Sequence, residues 1–194
     1  FEAAIQQFKA NSEIVIAGIA LNDWMEELLQ QSNFICSQHI IVLEWNSQVP
    51  QAFSPPQDIR IRPMTLNDIP VVEKIDNAAF APLWCNSADA LALAYQQGEY
   101  STVAIDAEGQ VVGYQISTAF PMAAHLARLA VSPNRQHHHI GHFLVHDLLL
   151  YAQEKRMWRV TVNTQSDNEA SLGLYKKLGF KRTYEEFPVY QYLV

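Results

Sequence analysis

"NEASLGLYKKLGF", Asn168 to Phe180, decides how the rest of the chain is read. The segment reads as an amphipathic helix closed at Gly179, because a residue without Cβ enters the left-handed conformation of a helix cap at no steric cost. Before it, "WRVTVNTQ" is β-branched and alternating; after it, "KRTYEEF" and "VYQYLV" read as closing strands. The chain therefore ends strand, helix, strand.

The beginning of the chain has the same order. Ile14, Ile16, Asn22, Leu28 and Phe34 match Val160, Val162, Asn168, Leu174 and Phe180, each pair 146 positions apart. Asn33 takes the place of Gly179, and asparagine is the other residue that tolerates a left-handed cap. The spacing predicts a partial N-terminal repeat over residues 1–48, a strand, a helix and a strand built like the chain's end. Leu29 stands where Tyr175 does, so this copy lacks that hydroxyl. Five matches among apolar positions also arise by chance, and spacing alone does not separate the two readings.

"VPQAFSPPQD", residues 49–58, carries three prolines and no amphipathic period, and reads as a linker. Residues 59–194 then form one domain. "IRIRPM" alternates as a strand, Thr65 caps a helix over "TLNDIPVVEKIDNAAF", and "ADALALAYQQ" is a second helix. "STVAID" and "VVGYQISTAF" form a hairpin around Glu108-Gly109, "AHLARLAV" adds a strand, and "HFLVHDLLLYAQEK" is a long amphipathic helix. The fold class is α/β (α+β), a mixed sheet flanked by helices with one central strand-loop-helix crossover.

Composition sets outer limits. A chain of 194 residues holds one domain with a real core, or one plus part of a second. At 49% hydrophobic and 17% charged residues it is not disordered, and a net charge of -7 argues against a nucleic-acid partner, which needs a basic surface. No apolar run has the length of a membrane span. With only Cys36 and Cys85 and no secretory signal, the expected compartment is the reducing cytoplasm. The chain opens on Phe1 and not on methionine, as a fragment of a longer protein would.

"NRQHHHIGHFLVH", Asn134 to His146, holds five of the seven histidines. His142 and His146, four apart on one helical face, could present two imidazoles to a metal. No Cys, Asp or Glu at a helpful spacing completes the ligand set, and His137 to His139 are consecutive, so no metal is expected. A second reading uses the backbone. A strand ending at Val131, a short polar loop and a helix beginning near Ile140 present unpaired N–H groups at the positive end of a helix, which is an anion site. Gly141 would let a phosphate approach closely.

With these residues in place, "LAVSPNRQHHHIGHFLVHDLL" resembles the acetyl-CoA loop of GNAT-type N-acetyltransferases, whose pattern is Gln/Arg-x-x-Gly-x-Gly/Ala. Gln136 takes the first place, Gly141 the last, and His139 replaces the middle glycine, which carries strain if that position needs positive φ. "NEASLGLYKKLGF" is similar, almost letter for letter, to the family's Asn-x-x-Ala/Ser-x-x-x-Tyr-x-x-x-Gly-Phe helix. The resemblance covers residues 59–194. It implies a GNAT fold whose sheet splays between its fourth strand, "AHLARLAV", and its fifth, "WRVTVNT".

The resemblance further implies acetyl-CoA as cosubstrate. The main chain of Leu129, Ala130 and Val131 would hold the pantetheine, and Gln136, His137, His138, His139, Ile140, Gly141 and His142 the pyrophosphate. Asn168 would bind pantetheine too, and Tyr175 would protonate the departing thiolate, a role suited to a phenol near pKa 10; on spacing alone Tyr175 is equally a core aromatic. Relatives acting on protein N-termini carry a glutamate base where this chain has Asn163. Small-molecule members carry one where it has His125, whose pKa suits deprotonating an amine through water, although a strand histidine without a role fits as well. Glu73 and Asp76 lie on the acceptor side or on a solvated face, and Trp84 lines the acceptor pocket or packs a hinge. The implied reaction is direct transfer of acetyl from acetyl-CoA to a primary amine of a small molecule or peptide by a monomer or homodimer. The alternatives are a catalytically silent CoA-binding module and a metal-linked or purely structural interaction domain.

Overall fold

The computed structural model describes residues 15–46, 49–50 and 52–193, which fall into two compact units. The first comprises the described residues of Phe1–Val42, Thr164–Glu169 and Arg182–Val194; the second those of Leu43–Asn163 and Ala170–Lys181. Residues 1–14, 47 and 48 of the expected repeat, Ile14 among them, lie outside the described residues, as do Gln51 of the linker and Val194.

In the first unit, strand β1 (Val15–Ile19) leads to helix α1 (Asp23–Gln31) and strand β2 (Ile35–Asn46). The long closing strand β8 (Lys181–Leu193) pairs antiparallel with β1 from Val15↔Leu193 to Ile19↔Val189. The sequence suggested two closing strands broken at Pro188. The structure has one, because the Pro188 carbonyl accepts a hydrogen bond from the Ala20 N–H at 3.0 Å and pairing resumes at Val189. Asn22 caps α1 by accepting the Met25 N–H at 3.2 Å. The helix turns Leu29 onto Ala20, Phe34 and Tyr190 in a small buried core.

The second unit carries strands β3 (Arg60–Pro63), β4 (Tyr100–Ile105), β5 (Val111–Phe120), β6 (Ala123–Val131) and β7 (Arg159–Gln165), in the order β7-β6-β5-β4-β3. Its helices are α2 (Ile69–Ala79), α3 (Ala88–Gln97), α4 (Ile140–Glu154) and α5 (Glu169–Lys177). Pairing is antiparallel from β3 to β6 and parallel between β6 and β7, a mixed sheet as expected. One core layer joins Val72 and Ile75 of α2 and Leu91 of α3 to Val103, Tyr114, Ile116 and Ala130. Another sets Ile140 and Leu144 of α4 against Ala104 and Val112. Val112 joins the second layer because the β4–β5 register skips it, pairing Ala104 with Gly113 and Ile105 with Val111. Gly113 lets α4 seat closely: a Cβ there would lie 3.1 Å from the Ala130 carbonyl oxygen and 3.3 Å from Leu144 Cδ1. Leu144, Val145, Leu148 and Leu149 are wholly buried, each contributing roughly 1.5–3 kcal/mol.

The two ends of the chain match in local geometry. Both boundaries of α1 and α5 lie 146 positions apart, as do the first residues of β2 and β8. Asn33 and Gly179 are both left-handed, at φ 60° and 88°. The Phe34 N–H donates to Leu29 O at 3.0 Å, and the Phe180 N–H to Tyr175 O at 3.0 Å.

Candidate active site

Parallel pairing of β6 with β7 runs through four residues, from Ala123↔Arg159 to Leu126↔Val162. Beyond Leu126, β6 continues to Val131 in register with β5, so Leu129, Ala130 and Val131 extend past the paired stretch. At Ala127 the β5–β6 register shifts, Ile116 facing Arg128 and Ser117 facing Leu126. This bulge adds twist and turns the end of β6 aside. The split between the fourth and fifth strands of the domain thus begins at Ala127.

Past β6, Pro133–Arg135 form a 3₁₀ turn, and His137 and His139 both adopt left-handed conformations, at φ 65° and 61°. The position of the family's middle glycine therefore does require positive φ, and a histidine occupies it. Among the described residues the N–H groups of His137, His138, His139, Ile140, Gly141 and His142 have no protein acceptor, while His139 O accepts the Phe143 N–H at 2.9 Å. Six consecutive free donors at the start of a fifteen-residue helix form a cradle for an anion. Gln136 turns inward, its Nε2 donating to Val131 O at 3.2 Å, and Arg135 is committed to Asp106 at 2.5 Å. A Cβ at Gly141 would meet Leu174 Cδ2 at 3.5 Å and Val131 Cγ2 at 3.7 Å, ordinary contact distances at which a small side chain fits.

Two of the imidazoles are engaged elsewhere. His142 stacks on Phe53 with ring centroids 4.2 Å apart, and His146 lies 5.5 Å from the same ring. Burial holds the His142 pKa below its ordinary value, and the nearby His146, His139 and Lys177 lower it further. Among the described residues no group of three or more His, Cys, Asp or Glu side chains is placed to hold a metal ion.

Tyr175 on α5 is 4% exposed, its ring 5.4 Å from Phe180. Its hydroxyl has no hydrogen-bond partner among the described residues and is not sealed from solvent. Burial raises its pKa, so the phenol stays protonated through the neutral range. Asn168 immediately precedes α5, its N–H bonded to Gln165 O at 3.1 Å. His125 is half-buried on β6, its Nδ1 2.9 Å from Thr161 Oγ1; burial lowers its pKa and favours the neutral ring. Asn163, at the position of the absent glutamate, is exposed.

One cluster escaped the sequence reading. Asp76 is wholly buried on α2 and forms no solvated face. It accepts Arg128 Nε and Nη2 at 2.7 Å each, the Asn86 N–H at 2.8 Å, and the Tyr114 hydroxyl in a short hydrogen bond. Arg128 Nη2 also donates to the Trp84 carbonyl at 2.6 Å, and its guanidinium lies 3.6 Å over the Phe80 ring. Glu73 accepts the Ala88 N–H at 2.8 Å at the start of α3. No sequence signal pairs residues 52 positions apart.

Several solved structures share this architecture. A GCN5-related N-acetyltransferase from Sphaerobacter thermophilus superposes with a TM-score of 0.75 at 15% identity, over 98% of this chain and 63% of that one. Ard1 from Thermoplasma volcanium gives 0.61 at 21% identity over 71% of this chain and 98% of that one. The PaiA N-acetyltransferase of Thermoplasma acidophilum, in complex with coenzyme A, gives 0.60 at 16% identity over 71% and 100%. The chain thus spans less than two thirds of the Sphaerobacter protein, and no curated protein matches its sequence. The family model of the acetyltransferase (GNAT) family matches residues 69–180, more than half of the sequence, and with the fold these place the chain in that family.

Proposed function

We propose that this chain transfers the acetyl group of acetyl-CoA to a primary amine by direct attack. The supporting observation is the run of six N–H groups at His137–His142 that have no partner among the described residues, directly after a strand whose end has left its parallel neighbour. Such a cradle fits a pyrophosphate, and the free edge of Leu129–Val131 fits the amide groups of a pantetheine arm. In the transfer the amine lone pair attacks the thioester carbonyl while His125, neutral through burial, takes the amine proton directly or through water. Strand N–H groups near the Ala127 bulge stabilise the developing oxyanion. As the C–S bond breaks, Tyr175 gives its proton to the thiolate. Burial raises the pKa of phenol and thiol alike, which keeps the donation feasible in a dry cleft. We also read residues 15–46 as a partial repeat without chemistry, Leu29 replacing the acid.

Free thiol released from acetyl-CoA in the presence of an amine library tests the reading. Tyr175→Phe is expected to lower turnover by about two to four decades. CoA affinity and melting temperature should stay unchanged, since the hydroxyl has no partner among the described residues. Unchanged turnover would make Tyr175 a core residue. Tight CoA binding with no thiol from any amine would identify a silent CoA-binding module.

A further inference from the structure

The Asp76–Arg128 cluster does more than fill the core. Arg128 follows the bulged Ala127, two residues past the last β6–β7 pair, so its Cα stands about 7 Å along the strand from where the sheet begins to open. Three of its surfaces are committed: Nε and Nη2 to Asp76, Nη2 also to the Trp84 carbonyl, and one guanidinium face to Phe80. Nη1 has no partner among the described residues, and it is not sealed from solvent. A guanidinium fixed at one edge and open at the other is a preorganised donor fork. The planar fork that holds Asp76 through two hydrogen bonds also fixes where the remaining Nη1 N–H groups stand, which the flexible ammonium of a lysine would not do.

We propose that Arg128 orients the acetyl acceptor by donating from Nη1 to an oxygen next to the reacting amine. Asp76 already compensates the guanidinium charge, so the free edge suits a neutral carbonyl better than a carboxylate. The acceptor class is therefore an α-amino amide, such as the N-terminus of a peptide. A simple alkylamine or polyamine offers that fork nothing. Asp76 acts through Arg128 and is a positioning residue. The Trp84 carbonyl on the same guanidinium ties the segment between α2 and α3 to the acceptor-binding group.

This assignment rests on the acetyltransfer reading, and the test separates the two. L-Alaninamide and isopropylamine differ in replacing a carboxamide by a methyl group, and each is given to the wild type and to Arg128→Lys with thiol release as readout. The wild type should favour alaninamide through KM. Arg128→Lys should raise KM for alaninamide about 10- to 100-fold, the effect of losing a hydrogen bond from a charged donor, with kcat little changed. Turnover of isopropylamine should change less than about threefold. A purely structural role would depress both amines together, and that result overturns the assignment. If the variant does not fold, the wild type decides alone: an isopropylamine KM as low as that of alaninamide overturns it. Thiol release with neither these nor any other amine sinks the acetyltransfer reading and this inference together.

Discussion

His139→Gly probes the cradle where the chain departs from its family. His139 sits at φ 61°, ψ 11° as the residue before α4, without a side-chain cap bond. A left-handed conformation costs an L-residue with a Cβ about 1–2 kcal/mol, and glycine avoids that cost. Against this, glycine has more freedom to lose on folding, about 0.5–1 kcal/mol. Taken at matching ends of the two ranges, the difference leaves a net stabilisation of about 0.5–1 kcal/mol. For a chain of this length that raises the melting temperature by about 1–4 °C. The N–H of residue 139 survives the substitution, so acetyl-CoA should bind as tightly or more tightly. Calorimetric melting and titration with acetyl-CoA measure the two effects, with His138→Ala as a control at a position that is not left-handed. A fall in melting temperature, or CoA binding weakened more than about threefold, would show that the imidazole and not the backbone is the working part.

Two further outcomes come from charge and burial. Arg62 holds the Asp68 carboxyl down to about 2, chiefly by its hydrogen bonds at 2.7 and 2.8 Å. A depressed carboxyl stabilises the fold above its unfolded pKa of 3.8 and loses that effect as pH falls towards 2, so Arg62→Ala should cost about 1–2 kcal/mol near neutrality, discounted for the exposure of Arg62, and the gap to wild type should close on acidification in urea melts. His125, its pKa lowered by burial, should act as base when neutral, so turnover should fall on acidification along a limb lying below 6.5; a pH profile in which His125→Gln keeps that limb would remove His125 from the mechanism.

Much of this was legible because it is local. Helix α5 begins after Asn168 and stops at Gly179, the hairpin turns at Gly109, and α4 starts at Ile140, all set by residues within a few positions of the event. The two left-handed histidines were half legible, since the family pattern marks position 139 and nothing marks 137. The bulge at Ala127 depends on which residue of β5 stands opposite, and periodicity in one strand carries no such information. Asp76 reads from the sequence as lying on the acceptor side or on a solvated face, because its partners, Arg128 and Tyr114, lie far along the chain. Phe53 sits in a proline-rich segment that reads as linker, yet its ring stacks on α4.

The segment of five histidines can now be divided by what each one contributes. His137 and His139 matter through their backbone, where left-handed φ turns successive N–H groups the same way; together they cost about 2–4 kcal/mol that ordinary loops avoid. A loop can hold that strain only if the helix behind it cannot shift. Leu144, Val145, Leu148 and Leu149 are wholly buried, and Gly113 lets the helix sit directly on the sheet. Each of those leucines is worth about as much as the whole strain of one histidine. His142 belongs to this anchoring, since its ring stacks on Phe53. A chelator should therefore leave melting temperature and CoA affinity alone, because the groups that would bind phosphate are amides, which no chelator touches. A chelator-induced fall in either would show that the imidazoles of this segment act together on a metal, and the backbone reading would have to be given up.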